Sequence, residues 1–189
     1  MTPPKTLLFI VGPQAVGKMT VGQELSRVTG LKFMHNHQTI DLLAPIFGFA
    51  SPSFERLSFE IRLGVMNEVA AGELPGLIFS CIIDFDDATD MARAESYASA
   101  FIDRGGRVLF VELAASLETR LRRNRTENRK LHKALKRDVE FSGRLVHEGE
   151  ARRCNSDGDF PFAYPHMKIV NDGLSVEVVV GMIREGFGV

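Results

Sequence analysis

The stretch Ile10 to Gln23, IVGPQAVGKMTVGQ, constrains the fold more than any other part of the chain. It continues the short apolar run Leu7 to Val11, which reads as a strand buried on both faces. Gly12 ends that run, and a second glycine, Gly17, stands directly before Lys18. From Thr20 to Thr29 the apolar residues Val21, Leu25 and Val28 recur at helical spacing, and Gly30 stops the helix. A buried strand that turns through a glycine loop straight into a helix is the start of a βα unit. Such a strand needs apolar cover on both faces, which a parallel sheet flanked by helices provides.

The rest of the chain keeps that alternation. Short strands are expected at Leu31 to Met34, Gly76 to Ile83, Arg107 to Leu113 and Met167 to Val170, and every strand reads as buried. Helices are expected at Gln38 to Phe47, Ser53 to Ala71, Asp87 to Arg104 and Ser175 to Glu185, with another capped by Ser116. Lys133 to Cys154 reads as a charged, exposed helix, and Asn155 to Pro165 as a surface loop. No repeat or linker interrupts the 189 residues, so 1–189 is expected to be a single domain. The fold class is α/β.

Charge and composition exclude some roles. The formal net charge is −1, so no global basic field argues for nucleic acid as a partner. No apolar run approaches the roughly 20 residues that span a bilayer, so no membrane role is expected. Two cysteines, Cys81 and Cys154, make no disulfide framework and fit a reducing cytoplasm. The expected state is a monomer or weak dimer.

The glycine loop itself carries chemistry. A loop between buried strand and helix can turn its backbone N–H groups inward at a phosphate, and the helix adds the positive end of its dipole. Lys18 is placed to reach the outer phosphates. The pattern nearly spells G-x-x-x-x-G-K-[ST], except that Met19 stands where the Mg²⁺-binding hydroxyl is usual. Thr20 brings a hydroxyl one place later.

These residues resemble the shikimate-kinase-like branch of the P-loop kinases, and more distantly adenylate kinase. Such enzymes typically read G-K-S-T-x-G, a helix ending in Gly, a short strand, then D-x-D-x-x-I-E. This chain reads GKMTVG, then TGLKFM, then HNHQTID, so the resemblance runs from Leu7 to Asp41 without a gap. Beyond Asp41 it rests on element order and an arginine cluster. It implies a three-layer fold with a five-stranded parallel sheet in the order 2-3-1-4-5, helices on both faces, and a small lid at about 123–132. It implies ATP and Mg²⁺ as cofactors, with the nucleotide held by Gly12, Pro13, Gln14, Ala15, Val16, Gly17, Lys18, Met19 and Thr20. Arg120 matches the lid-start arginine, while Arg123, Arg125 and Arg129 are candidates for a clamp on the transferring phosphate; the alternative for such arginines is a solvated basic helix. Asn171, in VNDG, falls where the family forms its adenine pocket. Arg56 and Arg62 lie on the helix that faces the acceptor.

The family's two acids are His35 and His37 here. A histidine beside the acceptor could serve as general base, since its pKa lies near neutrality. Two histidines at i, i+2 could instead bind a transition metal given a third ligand, or be polar strand-end residues only. Asp41 takes the family's Glu position. The third strand delivers Asp84, Asp86 and Asp87 to the sheet edge where ligands bind, and Asp84 is the candidate metal acid beside Thr20. Asp87 or Asp90 could equally cap the next helix. The expected catalytic set is Lys18, His37, Arg123 and Asp84, with His35, His37, Arg56 and Arg62 binding substrate. The expected function is ATP:Mg²⁺-dependent phosphoryl transfer to a small-molecule acceptor. The alternatives are a nucleotide-binding sensor or ATPase with little kinase turnover, or an antibiotic or nucleotide-sugar phosphotransferase.

Overall fold

The computed structural model describes residues 4–124, 143 and 146–189. Five strands form one parallel sheet: β1 (Thr6–Val11), β2 (Lys32–His35), β3 (Gly76–Ser80), β4 (Arg107–Ala114) and β5 (His166–Val170), in the order β2-β3-β1-β4-β5. The helices between them are α1 (Lys18–Thr29), α2 (His37–Phe47), α3 (Pro52–Ala71), α4 (Ala88–Ile102) and α5 (Leu117–Asn124), and α6 (Val176–Phe187) closes the chain.

β1 lies at the centre, and Leu7 to Val11 have no exposed surface. Its alternate residues serve opposite layers. Leu7, Phe9 and Val11 pack towards α3 and α4 through Met66, Val69, Tyr97 and Phe101. Leu8 and Ile10 pack towards α1 and α6 through Val21, Leu25, Val179 and Ile183. Each such side chain removed from water stabilises the fold by roughly 1.5–3 kcal/mol, which is why an uninterrupted apolar run dictates a doubly covered strand.

Several expectations need correction. The edge strands β2 and β5 are only partly buried, each pairing with another strand on one side alone among the described residues. The third strand ends at Ser80, three residues before Ile83, although the Cys81 amide still donates to Ile10 O at 3.2 Å. The first helix begins at Lys18, so the lysine sits on its first turn. Of the helix expected over 133–154, residues 133–142, 144 and 145 lie outside the described residues. Helical conformation ends at 148, and a 3-10 turn, Gly149–Ala151, leads into irregular chain.

The stretch 155–165 is irregular and mostly exposed, as a surface loop, but its aromatic side chains pack inward. Phe162 is buried and stacks on Phe110 with ring centroids 4.8 Å apart, and Tyr164 stacks on the same ring at 5.8 Å. Phe160 lies over His166 at 3.8 Å. The aromatic residues alternate at 160, 162 and 164, the spacing of an extended chain with one buried face. Arg153 ties this stretch down by donating to Asp86 at 2.8 Å and to Asp159 at 2.9 Å.

Candidate active site

The strand order places the turn after β1 between β3 and β4, at the carboxyl edge of the sheet where the chain's path reverses. In open α/β sheets that crevice is where ligands bind. The loop there has a rigid shape. Gly12 has φ +132°, and a Cβ on it would lie 2.2 Å from the backbone oxygen of Leu113, so only glycine fits. Ala15 holds a left-handed φ of +62°, unusual for a residue with a side chain and worth roughly 1–3 kcal/mol of local strain. Val16 is fully buried and anchors the loop, and Gly17, with φ +107°, turns it into α1.

No side chain caps α1, and no acidic residue stands in its first turn. The amide groups of that turn are therefore not met by a capping carboxylate or hydroxyl, and the dipole end faces the crevice. Lys18 curls back over the loop, its Nζ donating to Gly12 O at 2.6 Å and to Pro13 O at 2.7 Å. Met19 is half-buried and Thr20 is exposed. The two are about 100° apart around the helix.

The back of the loop is held from the far side. Arg123, near the end of α5, donates through Nη1 to Val16 O at 2.9 Å and to Asn171 Oδ1 at 2.9 Å, and through Nη2 to Asn171 O at 2.8 Å. Asn171 is buried and donates its own amide to Val16 O at 2.9 Å. Asp172 accepts from the Ser116 amide and hydroxyl, which holds the start of α5 against the turn after β5. Arg120 is buried, donates to Ala115 O and pairs with Glu150. Gln14 packs against Gly149, where a Cβ would meet its Oε1 at 2.0 Å. Of the expected lid, Arg123 and Asn124 are described, while Arg125 and Arg129 lie outside the described residues.

Across the crevice, the end of β2 and the start of α2 bring His35 and His37 together, their rings 6.4 Å apart. Arg62 reaches the start of α2 from α3, donating to Thr39 Oγ1 at 2.9 Å and to Asn36 O, between the two histidines in the chain, at 3.3 Å. Arg56 stands elsewhere. Its guanidinium pairs with Glu60 one turn along α3, on the exposed side. The structure thus separates the two arginines that the sequence groups together. One carboxylate oxygen of Asp41 is buried with no hydrogen-bond partner among the described residues.

Between α3, β3 and α4 lies a small, partly open cleft of about 40 Å³, lined by Arg62, Cys81, Ile83, Asp90, Arg93 and Tyr97 with Phe9 and Phe79. Burial pushes the Cys81 thiol up to about 12, while the charges of Arg62 and Lys18 pull it back. Burial also raises the Asp90 carboxyl, opposed by the bond it accepts from the Asp84 amide. Tyr97 is pushed up to about 12 by burial, with Arg62 close by; its hydroxyl finds no partner of good geometry among the described residues.

Asp84 is half-buried, and its Oδ1 accepts from the amides of Asp86 and Arg153, both at 3.2 Å. Asp87 caps α4 by accepting from Thr89 and Asp90. Among the described residues no group of three His, Cys, Asp or Glu side chains is placed to hold a metal ion.

One polar network escaped the sequence reading. Glu112 on β4 is fully buried and accepts from Ser156 N at 2.8 Å, Ser156 Oγ at 2.6 Å and Asn155 Nδ2 at 3.0 Å. His166 Nε2 lies 3.0 Å and Lys168 Nζ 3.3 Å from the same carboxylate. The signal was a lone charge within an apolar strand.

The sheet order and the crevice geometry define a class. The chain has the fold of the P-loop kinases in their shikimate-kinase-like form. Among solved structures it is similar to a sugar kinase from Janibacter sp., with 12% identity and a TM-score of 0.64 over 98% of this chain and 95% of that one. It is similar to the shikimate kinase of Acinetobacter baumannii in complex with shikimate, at 18% identity and 0.58 over 97% and 92%. A third is the tunicamycin resistance protein of Deinococcus radiodurans, at 21% identity and 0.54 over 98% and 96%. At these identities the likeness is one of fold. No protein-family model matches the chain, and no curated protein matches it. No helix among the described residues is long and apolar enough to cross a membrane.

Proposed function

We propose that this protein is a small-molecule kinase, acting as one unit, that transfers the terminal phosphoryl group of ATP to a hydroxyl of a polar acceptor. The observation that carries this reading is the uncapped start of α1 behind Gly12 and Gly17, with Lys18 on its first turn and the Arg62 cleft across the crevice. The amides of Ala15 to Thr20 would cradle the phosphates, and Lys18 would exchange the carbonyls of Gly12 and Pro13 for phosphate oxygens. Mg²⁺, when bound with the nucleotide, supplies charge neutralisation of the phosphates. Thr20 and Asp84 are the protein groups offered to it, Asp84 through water.

His37 stands at the start of α2 beside Arg62's partners and is assigned to the acceptor hydroxyl as base or positioning group. His35 and Arg62 bind the acceptor. Catalysis in such a site rests on holding the two reactants in line and on stabilising charge, so rigid placement of the loop matters more than any single proton transfer.

ADP release from ATP and Mg²⁺, measured while candidate acceptors are added, tests the reading. Lys18→Ala should abolish ATP binding; retention of ATP affinity by that variant rejects a phosphate loop. A second reading, a nucleotide-binding sensor with little turnover, is favoured by Asp84, whose Oδ1 is already occupied by two backbone amides. Tight ATP binding without acceptor-dependent ADP release would select it.

A further inference from the structure

The carbonyl of Val16 is an odd place to spend two strong donors. It accepts from the Arg123 guanidinium and from the Asn171 amide, both at 2.9 Å. Asn171 is itself fixed, because Arg123 donates to its side-chain oxygen and to its backbone oxygen. The residues are far apart in sequence, and both side chains converge from β5 and α5 on one peptide unit.

That peptide joins Val16 to Gly17, the N-cap of α1. No peptide bond among the described residues is cis. In a trans peptide the C=O and the following N–H point in opposite directions in one plane. Two donors that hold the Val16 oxygen towards β5 and α5 therefore fix the Gly17 N–H on the opposite side. Gly17, at φ +107°, is a residue whose backbone would otherwise explore many orientations.

Resting on the phosphate-loop reading above, we infer that Arg123 and Asn171 form a positioning pair that orients the Val16–Gly17 peptide, so that the Gly17 N–H is presented to a bound phosphate. Arg123 works behind the loop and not on the transferring phosphoryl group. Burial lowers the pKa of Arg123 and the nearby Asp172 opposes this, as befits a guanidinium held among protein groups. The loop is pre-organised for anions before any ligand arrives, which removes ordering cost from binding.

The test uses the full chain and ADP, which needs neither acceptor nor turnover. Calorimetry with ADP and with adenosine would be run on the parent, Arg123→Ala, Asn171→Ala, the double variant and Lys18→Ala. Each single clamp variant should weaken ADP by about tenfold, the usual scale for a charge-assisted or buried hydrogen bond, and Arg123→Ala should leave adenosine unchanged. The double variant should be no weaker than the worse single one, since both donors serve one oxygen. The Gly17 amide resonance should move in the ligand-free variants.

Asn171→Asp guards against misfolding. It keeps the shape and the Arg123 contact but removes the donor to Val16 O, and should also weaken ADP. Parental ADP affinity in Asn171→Ala and Asn171→Asp overturns the inference. So do additive losses, or an Arg123→Ala variant that binds ADP normally and loses only turnover. If the parent binds no ADP, the phosphate-loop reading fails and the clamp with it. If the parent binds and Lys18→Ala does not, while the clamp variants match the parent, the clamp alone fails.

Discussion

Two glycines with left-handed backbone should respond very differently to alanine. Gly30 ends α1 at φ +76°, and a Cβ there would meet nothing within 4 Å. Gly30→Ala should therefore cost only the conformational penalty of a left-handed alanine, about 1 kcal/mol. Gly12 has φ +132°, and its added Cβ would lie 2.2 Å from the oxygen of Leu113 and 3.2 Å from its carbon. The obstacle is backbone of β4, which cannot rotate away as a side chain would. Reaching the 3.0 Å limit of real contacts means pushing β1 and β4 about 0.8 Å apart where they pair through Val11 and Glu112. Losing one or two ladder bonds there, at about 1 kcal/mol each, adds to a conformational cost larger than that of Gly30. Gly12→Ala should thus lose about 3 kcal/mol or more. At about 2–4 °C per kcal/mol for a chain of this size, Tm should fall by about 6–12 °C, against about 2–4 °C for Gly30→Ala. Differential scanning calorimetry gives both values, and ADP calorimetry on the folded variants should show lost binding for Gly12→Ala alone. Equal Tm shifts, or parental ADP affinity in Gly12→Ala, would refute the reasoning.

Glu112→Ala should destabilise the protein by about 3–5 kcal/mol in urea unfolding, since Lys168, His166, Asn155 and Ser156 lose their common acceptor; a change below about 1 kcal/mol would mean that the network contributes nothing net. Asp90 has its carboxyl raised by burial, so the folded state binds its proton more tightly than the unfolded one and stability falls as pH rises from the ordinary aspartate value through the raised one. Asp90→Asn should remove that fall and raise Tm at pH 7, the side-chain oxygen still accepting from Asp84; an unchanged pH profile of Tm rejects the assignment. Thr20→Val and Asp84→Asn should each raise the Mg²⁺ concentration for half-maximal ADP release with ATP binding without metal little changed, and if neither does, the metal is held elsewhere and His35 is the next residue to replace.

The unit from β1 to α1 was legible because everything that shapes it is local. An apolar run, two glycines, a lysine and a 3.6-residue period fix strand, loop and helix within Leu7 to Thr29. The caps Asp87 and Ser116 act within three residues of themselves, accepting from Thr89 and Asp90, and from Thr119, whereas the cap of α3 is Ser51, two residues before the expected start at Ser53. Asp87 was read as a capping alternative, and the structure gives it that place.

What the sequence could not carry is which distant polar groups meet. Arg123 is separated from Val16 by 107 positions and from Asn171 by 48, and the three converge only because β4 and β5 lie side by side and α5 returns over the loop. Arg56 and Arg62 share a helix and look alike in sequence, yet one pairs with Glu60 in solvent and the other turns inward to Thr39. Phe160, Phe162 and Tyr164 sit among glycine, aspartate and proline, which mask an apolar face that exists only where Phe110 is there to receive it. A backbone's local preference is set by its neighbours in the chain, so the sequence alone determined the βα unit and the residues that end its elements. The partner of a buried charge or ring is set by the packing of whole elements against one another, and for Arg123, Glu112 and Phe162 only the tertiary structure decided it.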